Sequence, residues 1–261
     1  FTISFNKDSS KFNSWYPKQR YQWDTPVVSH FTEEQNDFFV LYIVPVLQTF
    51  QARANNEMLI TAHITQTIDG KIALNNGISQ WIGNEADRIH THRMRALCDG
   101  VMIGNKTADI DQPGLNVRHV AGDHPIKIVV GNSRTNIQSL KKEGKLLVIS
   151  NSLLYPDEPN IKNIVINKPG RFAATDIASV LLENNIYHLF VEGGANLISG
   201  LLKDEAIDVL QIHIAPVIFG SGKDAIALPE IDNLNNAISS KHIQFFKLDD
   251  QYLMQLNYQT K

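Results

Sequence analysis

The segment Glu192-Gly193-Gly194-Ala195-Asn196-Leu197 follows the apolar run Leu189-Phe190-Val191 and opens a helical pattern. A glycine pair between a strand and a helix lets the backbone come close to a ligand. The free N–H groups of the helix start then attract an anion such as a pyrophosphate. The same pair also serves a tight turn that holds no ligand. The spacing is not Gly-x-Gly-x-x-Gly, so the ordinary dinucleotide fingerprint is not supported. Glu192 ends the strand, either as a carboxylate facing a substrate or as a cap.

A second group lies between Asn84 and Asp99. Asn84 is a good helix cap, with Asp87 three residues on. At helical spacing Arg88, His92 and Arg95 fall within about 60° of one another. Such a face either clamps a phosphate through arginine forks or is a solvated charged surface. Ala86, Ile89, Ala96 and Leu97 fall roughly opposite, with Arg93 intruding. A third stretch, 104–118, reads as a long loop that carries Gly104, Thr107, Asp111, Leu115 and Arg118. Loops of this length are often functional, though Pro113-Gly114 also marks a plain surface connection. A fourth is the turn Asp69-Gly70-Lys71, followed by Ser79 and Trp81.

Several motifs fail. Gly220-Ser221-Gly222-Lys223 looks like the end of a P-loop, but Val217 stands at the upstream glycine position and Asp224 follows the lysine. His90 and His92 point about 200° apart on a helix, which is wrong for a shared zinc. No metal site is expected. His63, His188 and His213 lie in or beside strands and read as structural histidines. There is no Gly-x-Ser-x-Gly for a serine hydrolase.

These segments need a scaffold. The chain has 261 residues, 43% hydrophobic and 20% charged, which is ordinary globular usage. Twenty-four basic against 27 acidic residues leave a net charge of −3, so no nucleic acid or anionic membrane is expected as a partner. One cysteine, Cys98, forms no internal disulfide, and the longest apolar run (38–47) is too short to cross a membrane. A cytoplasmic location is expected. Residues 1–56 read as an N-terminal extension. Thr32 and Gln35 fit a capping box for one apolar helix running towards Gln51, broken near Pro45 and buried on the main domain or a partner subunit. From 57 to 261 short apolar strands alternate with helices. Strands are expected at 59–64, 101–103, 126–130, 146–149, 164–166, 189–191, 209–215, 243–248 and 252–258, and helices at 85–97, 175–184 and 196–204. This pattern predicts an α/β domain with a largely parallel sheet and an antiparallel C-terminal end.

The order of motifs is specific where each alone is weak. Thr67-Ile68-Asp69-Gly70-Lys71, Ser79-Gln80-Trp81-Ile82, Arg88 to Arg95, Gly104 to Arg118, Val191-Glu192-Gly193-Gly194 and Ile214-Ala215-Pro216 to Gly220 together resemble the reductase domain of riboflavin biosynthesis, from about Leu59 to the C-terminus. The resemblance implies a dihydrofolate-reductase-like fold, a homodimer, and NADPH-dependent reduction of the ribosyl group of 5-amino-6-(5-phosphoribosylamino)uracil to ribityl. Relatives that act before deamination take the diaminopyrimidinone instead. A reductase of another heterocycle, such as a pterin or folate, and a non-catalytic nucleotide-binding paralogue are the competing readings. It also implies substrate contacts at Ser79, Arg95, Leu115, Arg118 and Glu192. Cofactor contacts fall at Thr65, Trp81, Gly104, Thr107, Asp111, Ser133 and the stretch 194–200, with Gly193, Gly194, Ala195, Asn196 and Leu197 at its start. Lys71 matches a basic position near the substrate. With Glu192, it is a candidate for moving protons as the ring opens to an imine and a hydride adds. Arg95 and Arg118 are expected to hold the 5-phosphate. Arg134 is our own candidate for the 2′-phosphate of NADPH. A deaminase needs Cys/His/Glu zinc chemistry that these residues do not supply.

Overall fold

Alternating apolar strands and amphipathic helices build one nine-stranded sheet covered on both faces. The computed structural model describes residues 31–79, 82–156, 158–240 and 242–258. In chain order the strands are β1 (Leu59–Thr67), β2 (Lys71–Ala73), β3 (Gly100–Gly104), β4 (Ile126–Val130), β5 (Leu146–Ser150), β6 (Ile161–Val165), β7 (His188–Glu192), β8 (Val209–Ala215), β9 (Lys223–Asp224), β10 (His242–Leu248) and β11 (Gln251–Asn257). The sheet order is β10-β11-β8-β1-β7-β3-β4-β5-β6, and β2 with β9 forms a separate ribbon. From β8 to β6 every pairing is parallel, whereas β10 and β11 add antiparallel strands at one edge. This is the expected α/β architecture. The chain moves outward from β1 through β3 to β6, then returns to insert β7 beside β1. Such a reversal leaves a crevice outside the carboxyl ends of the strands.

The helices are α1 (Glu33–Phe38), α2 (Val44–Asn55), α3 (Glu85–Leu97), α4 (Asn105–Asp111), α5 (Gln138–Lys141), α6 (Ala174–Leu182) and α7 (Ala195–Lys203). One sheet face presents Ile60, Ala62, Ile64, Met102, Ile128, Leu189 and Val191 to Ile177 and Leu181 of α6 and Ile198, Leu201 and Leu202 of α7. Each Ile, Leu, Met or Val among them, fully buried, contributes about 1.5–3 kcal/mol. On the other face Val101, Ile103, Val129, Val148 and Phe190 meet Met94 of α3 and Val40, Leu41 and Tyr42.

The second face carries a polar layer as well. Thr61, His63, Gln211, His213, Gln251, Gln255 and Asn257 are all buried there. Buried polar groups require partners, and the covering helices supply some of them. Tyr42 Oη lies 3.0 Å from His90 Nδ1, and His90 Nε2 lies 2.9 Å from Gln211 Oε1. Gln211 donates onward to Gln255 Oε1 at 3.0 Å. His188 lies 3.1 Å from Thr49 Oγ1 and 3.2 Å from Thr61 Oγ1. His63, His188 and His213 thus all sit inside the fold. Arg53 closes the N-terminal helix onto the sheet by donating to Asp99 Oδ1 at 2.9 Å.

Some expectations shift. The capping box at Thr32 and Gln35 forms. The break near Pro45 is a π-helical turn over Phe39–Ile43, in which Val44 N–H donates to Phe39 O. Proline lacks the N–H that an α-helical turn would use, and a wider turn accommodates it. The helix then continues to Asn55 rather than Gln51. The loop expected over 104–118 opens with α4, so only 112–118 is irregular. The β2–β9 ribbon was not anticipated, nor was the short α5. On α3 the core side is not the apolar side: Asp87, His90, His92, Met94 and Arg95 are buried, whereas Ile89 and Leu97 are only partly so. The solvated-face reading of His92 and Arg95 is therefore excluded, because the face packed on the sheet is the polar one.

Candidate active site

The crevice begins where β7 stops. Glu192 accepts both arms of Arg95, Nε to Oε1 at 2.5 Å and Nη2 to Oε2 at 2.6 Å. Arg95 Nη1 also donates to Asn116 O at 3.0 Å. Burial works against the guanidinium's charge, but Glu192 outweighs it and raises the Arg95 pKa further above its usual value. Two expected substrate groups therefore hold each other. Arg118 lies beside them with its side chain in solvent; its backbone N–H donates to His92 Nδ1 at 3.0 Å. Arg95 is already matched by a carboxylate, so Arg118 is the exposed cation of the two. Leu115 is buried with φ of 50°, a left-handed conformation that bulky residues adopt only under constraint. That conformation bends the 112–118 segment back along α3.

Immediately after Glu192 the glycine pair turns the chain with positive φ, 64° at Gly193 and 78° at Gly194. A Cβ at Gly194 would fall 3.0 Å from Thr107 Oγ1. Thr107 of α4 and the turn before α7 are thus in contact. Gly194 caps α7, whose first residues are Ala195, Asn196 and Leu197. Gly104, Asn105, Gly131, Asn132, Asn196 and Leu197 line an adjoining cleft of about 210 Å³. Gly131 has φ of 151°, and a Cβ there would fall 2.5 Å from Asn105 Cγ. These features fit a dinucleotide: backbone without side chains, polar amides and the positive end of a nine-residue helix.

The remaining expected residues are spread around this centre. Thr65 donates its hydroxyl to Asp87 Oδ2 at 2.8 Å. Asp111 ends α4 and is exposed; partial burial raises its pKa against the pull of Lys223. Ser133 is exposed and hydrogen-bonded by Asn105. Arg134 stacks over Tyr155 at 5.5 Å and does not line the cleft. The cation that does is Arg171, held by Asp204 at 2.8 and 2.6 Å. Arg171 was not anticipated; Gly170 before it is the slight sequence signal. Lys71 stands on β2 with its ammonium paired to Asp224 of β9. Ser79 is half-buried between β2 and α3. Trp81 lies outside the described residues.

The RibD C-terminal domain family matches residues 58–252. The chain belongs to this family. RibD of Corynebacterium ammoniagenes is 33% identical over 199 residues, covering 75% of this chain and 53% of that protein. The chain spans about half the length of the first curated RibD relatives it matches. The 2,5-diamino-6-ribosylamino-4(3H)-pyrimidinone 5′-phosphate reductase of Methanothermobacter thermautotrophicus is 28% identical, covering 75% of this chain and 96% of that protein. In fold, the Thermotoga maritima deaminase/5-amino-6-(5-phosphoribosylamino)uracil reductase superposes with a TM-score of 0.69 at 22% identity, over 85% of this chain and 60% of that one. The Saccharomyces cerevisiae riboflavin biosynthesis reductase Rib7 gives 0.63 at 21%, over 83% and 99%. The RibD reductase fold accounts for the parallel body and antiparallel edge. Among the described residues no helix is long and apolar enough to cross a membrane, and no cluster of metal-ligating side chains is present.

Proposed function

We propose that this chain is a reductase of riboflavin biosynthesis that uses NADPH to convert the ribosyl group of 5-amino-6-(5-phosphoribosylamino)uracil to ribityl. Glu192 belongs to the Arg95–Asn116–Arg118 group, and the next two residues, Gly193 and Gly194, belong to the Thr107 group. A hydride transfer requires two reactants held edge to edge. Here a polar, arginine-bearing half-site and a glycine-lined half-site abut at consecutive residues. A nicotinamide bound in the glycine-lined half supplies the hydride, and the protein supplies position and charge.

In this reading Arg118 meets the 5-phosphate from solvent, while Arg95 fixes Glu192 towards the ribose. Leu115 shapes the wall between them. The turn at Gly193 and Gly194 and the start of α7 receive the pyrophosphate, with Thr107 and Ser133 beside it. Lys71 and Glu192 are the two groups we assign to proton movement. Lys71→Met and Glu192→Gln each test that role: unchanged turnover in either removes it from that residue.

The undeaminated diaminopyrimidinone is the second reading. The Methanothermobacter thermautotrophicus relative, which this chain covers over 96% of its length, bears that name. A homodimer is also proposed. Ile243, Phe245 and Tyr252 stand exposed on one face of β10 and β11, beside partly buried Met254 and Leu256. A second copy would bury that patch. One free, buried cysteine suits a reducing cytoplasm. We treat residues 1–56 as an extension whose helix completes the reductase core.

A further inference from the structure

We propose that Asp87, enclosed between His63 and His213, is a positioning residue that fixes the Thr65 hydroxyl as a pure hydrogen-bond acceptor facing the cofactor; this rests on the reading of Thr65 as a cofactor contact. Asp87 is the third residue of α3, and its N–H is received by the Asn84 side chain at 2.8 Å. The residue is 5% exposed. Oδ2 accepts from Thr65 Oγ1 at 2.8 Å. Oδ1 lies 3.1 Å from His63 Nε2 and 3.2 Å from His213 Nδ1, close contacts rather than aligned hydrogen bonds. On its far side His213 meets Gln251 Oε1, which also accepts from Asn84 N–H at 3.3 Å. Burial raises the Asp87 pKa, but His63, His213 and Thr65 outweigh it, and the carboxyl is held below its usual range.

A carboxylate without its proton only accepts. The single Thr65 proton therefore points at Asp87, and its lone pairs point away. Gly83 leaves room for this pair: a Cβ there would fall 2.4 Å from Asp87 Oδ2 and 3.3 Å from Thr65 Cγ2. The direction matters because of where Thr65 stands. His63 is the last β1 residue paired with β7, opposite Glu192, and its carbonyl accepts from Gly193 N–H at 3.4 Å. Thr65 is two residues beyond, half-buried where β7 has ended and the glycine turn begins. Its lone pairs suit an N–H or O–H donor of the bound dinucleotide.

The test is a double-mutant cycle read by NADPH binding, using the fluorescence of the reduced nicotinamide, with melting temperature in parallel. Thr65→Val is expected to weaken binding about tenfold, the loss of one hydrogen bond. Thr65→Ser, which keeps the hydroxyl, is expected to stay within about twofold of the native chain. Asp87→Asn is expected to weaken binding about tenfold in the native background and less than about twofold in the Thr65→Val background. Equal losses in both backgrounds, or a lower melting temperature with unchanged affinity, would overturn the proposal. If Asp87→Asn does not fold, His63→Gln reads the same coupling, with a loss of affinity in the native background only. A folded native chain that binds no NADPH refutes the cofactor reading itself, and this inference falls with it.

Discussion

Arg95 and Glu192, 97 residues apart in sequence, form a two-point ion pair at 2.5 and 2.6 Å, with side chains 10% and 14% exposed. The pair ties the end of α3 to the end of β7 and sets the carboxylate at the crevice. Removing one partner of a buried pair strands the other charge, at a cost of about 3–5 kcal/mol. Glu192→Gln is therefore expected to lower stability by roughly that amount and to reduce turnover. Arg95→Lys cannot span both oxygens and is expected to lower turnover more than stability. Denaturant melts and steady-state kinetics on both variants check this.

Gly194 is the second test position. At φ of 78° any L side chain is strained, by about 1–2 kcal/mol, and its Cβ would press on Thr107. Gly194→Ala is expected to weaken NADPH binding about tenfold. Thr107→Ala in the same background relieves the contact but not the strain, so only part of the affinity should return. Titration by fluorescence reads both.

Acid stability follows from the polar layer. Burial pushes His90 down to about 3 and His188 to about 4. In the unfolded chain both titrate near 6.5. As pH falls below that value the unfolded state takes protons that the folded state refuses, so stability is full above about pH 6.5 and declines on acidification. Each proton weighs about 1.4 kcal/mol per pH unit, and the two together remove about 5 kcal/mol between pH 6 and 4. Urea melts at a series of pH values give the slope.

Tyr42 tests whether the N-terminal helix is part of the core. Tyr42→Phe keeps the packing against Met94 and Phe190 but leaves His90 Nδ1 without its hydroxyl partner. The expected loss is about 1–3 kcal/mol. A change below 0.5 kcal/mol by calorimetry would mean the contact contributes little.

The strands and the long helix were legible because their periods are strong. Ile126–Val130 and Val209–Ala215 are runs of apolar and β-branched residues, and Asn84 capping Asp87 fixes the start of Glu85–Leu97. What failed was local and polar. Asn105–Asp111 buries only Ala108, so it has no apolar stripe to announce a helix, and it ends at Gln112 in a left-handed turn without glycine. The inward face of α3 was hidden for a related reason. Asp87, His90 and Arg95 look like solvent residues until Thr65, Gln211 and Glu192 arrive from distant strands to satisfy them. The motif order around Glu192-Gly193-Gly194 was readable, whereas Arg171 came to the cleft only through the fold.

Loss of reduced-nicotinamide absorbance decides whether this chain carries out the pyrimidine reduction. The purified chain is mixed with NADPH and with 5-amino-6-(5-phosphoribosylamino)uracil made in situ, and with the undeaminated diaminopyrimidinone in a parallel cuvette. Oxidation of NADPH is expected that needs the pyrimidine and is fastest with the deaminated compound. Binding of NADPH without oxidation in either cuvette would contradict this.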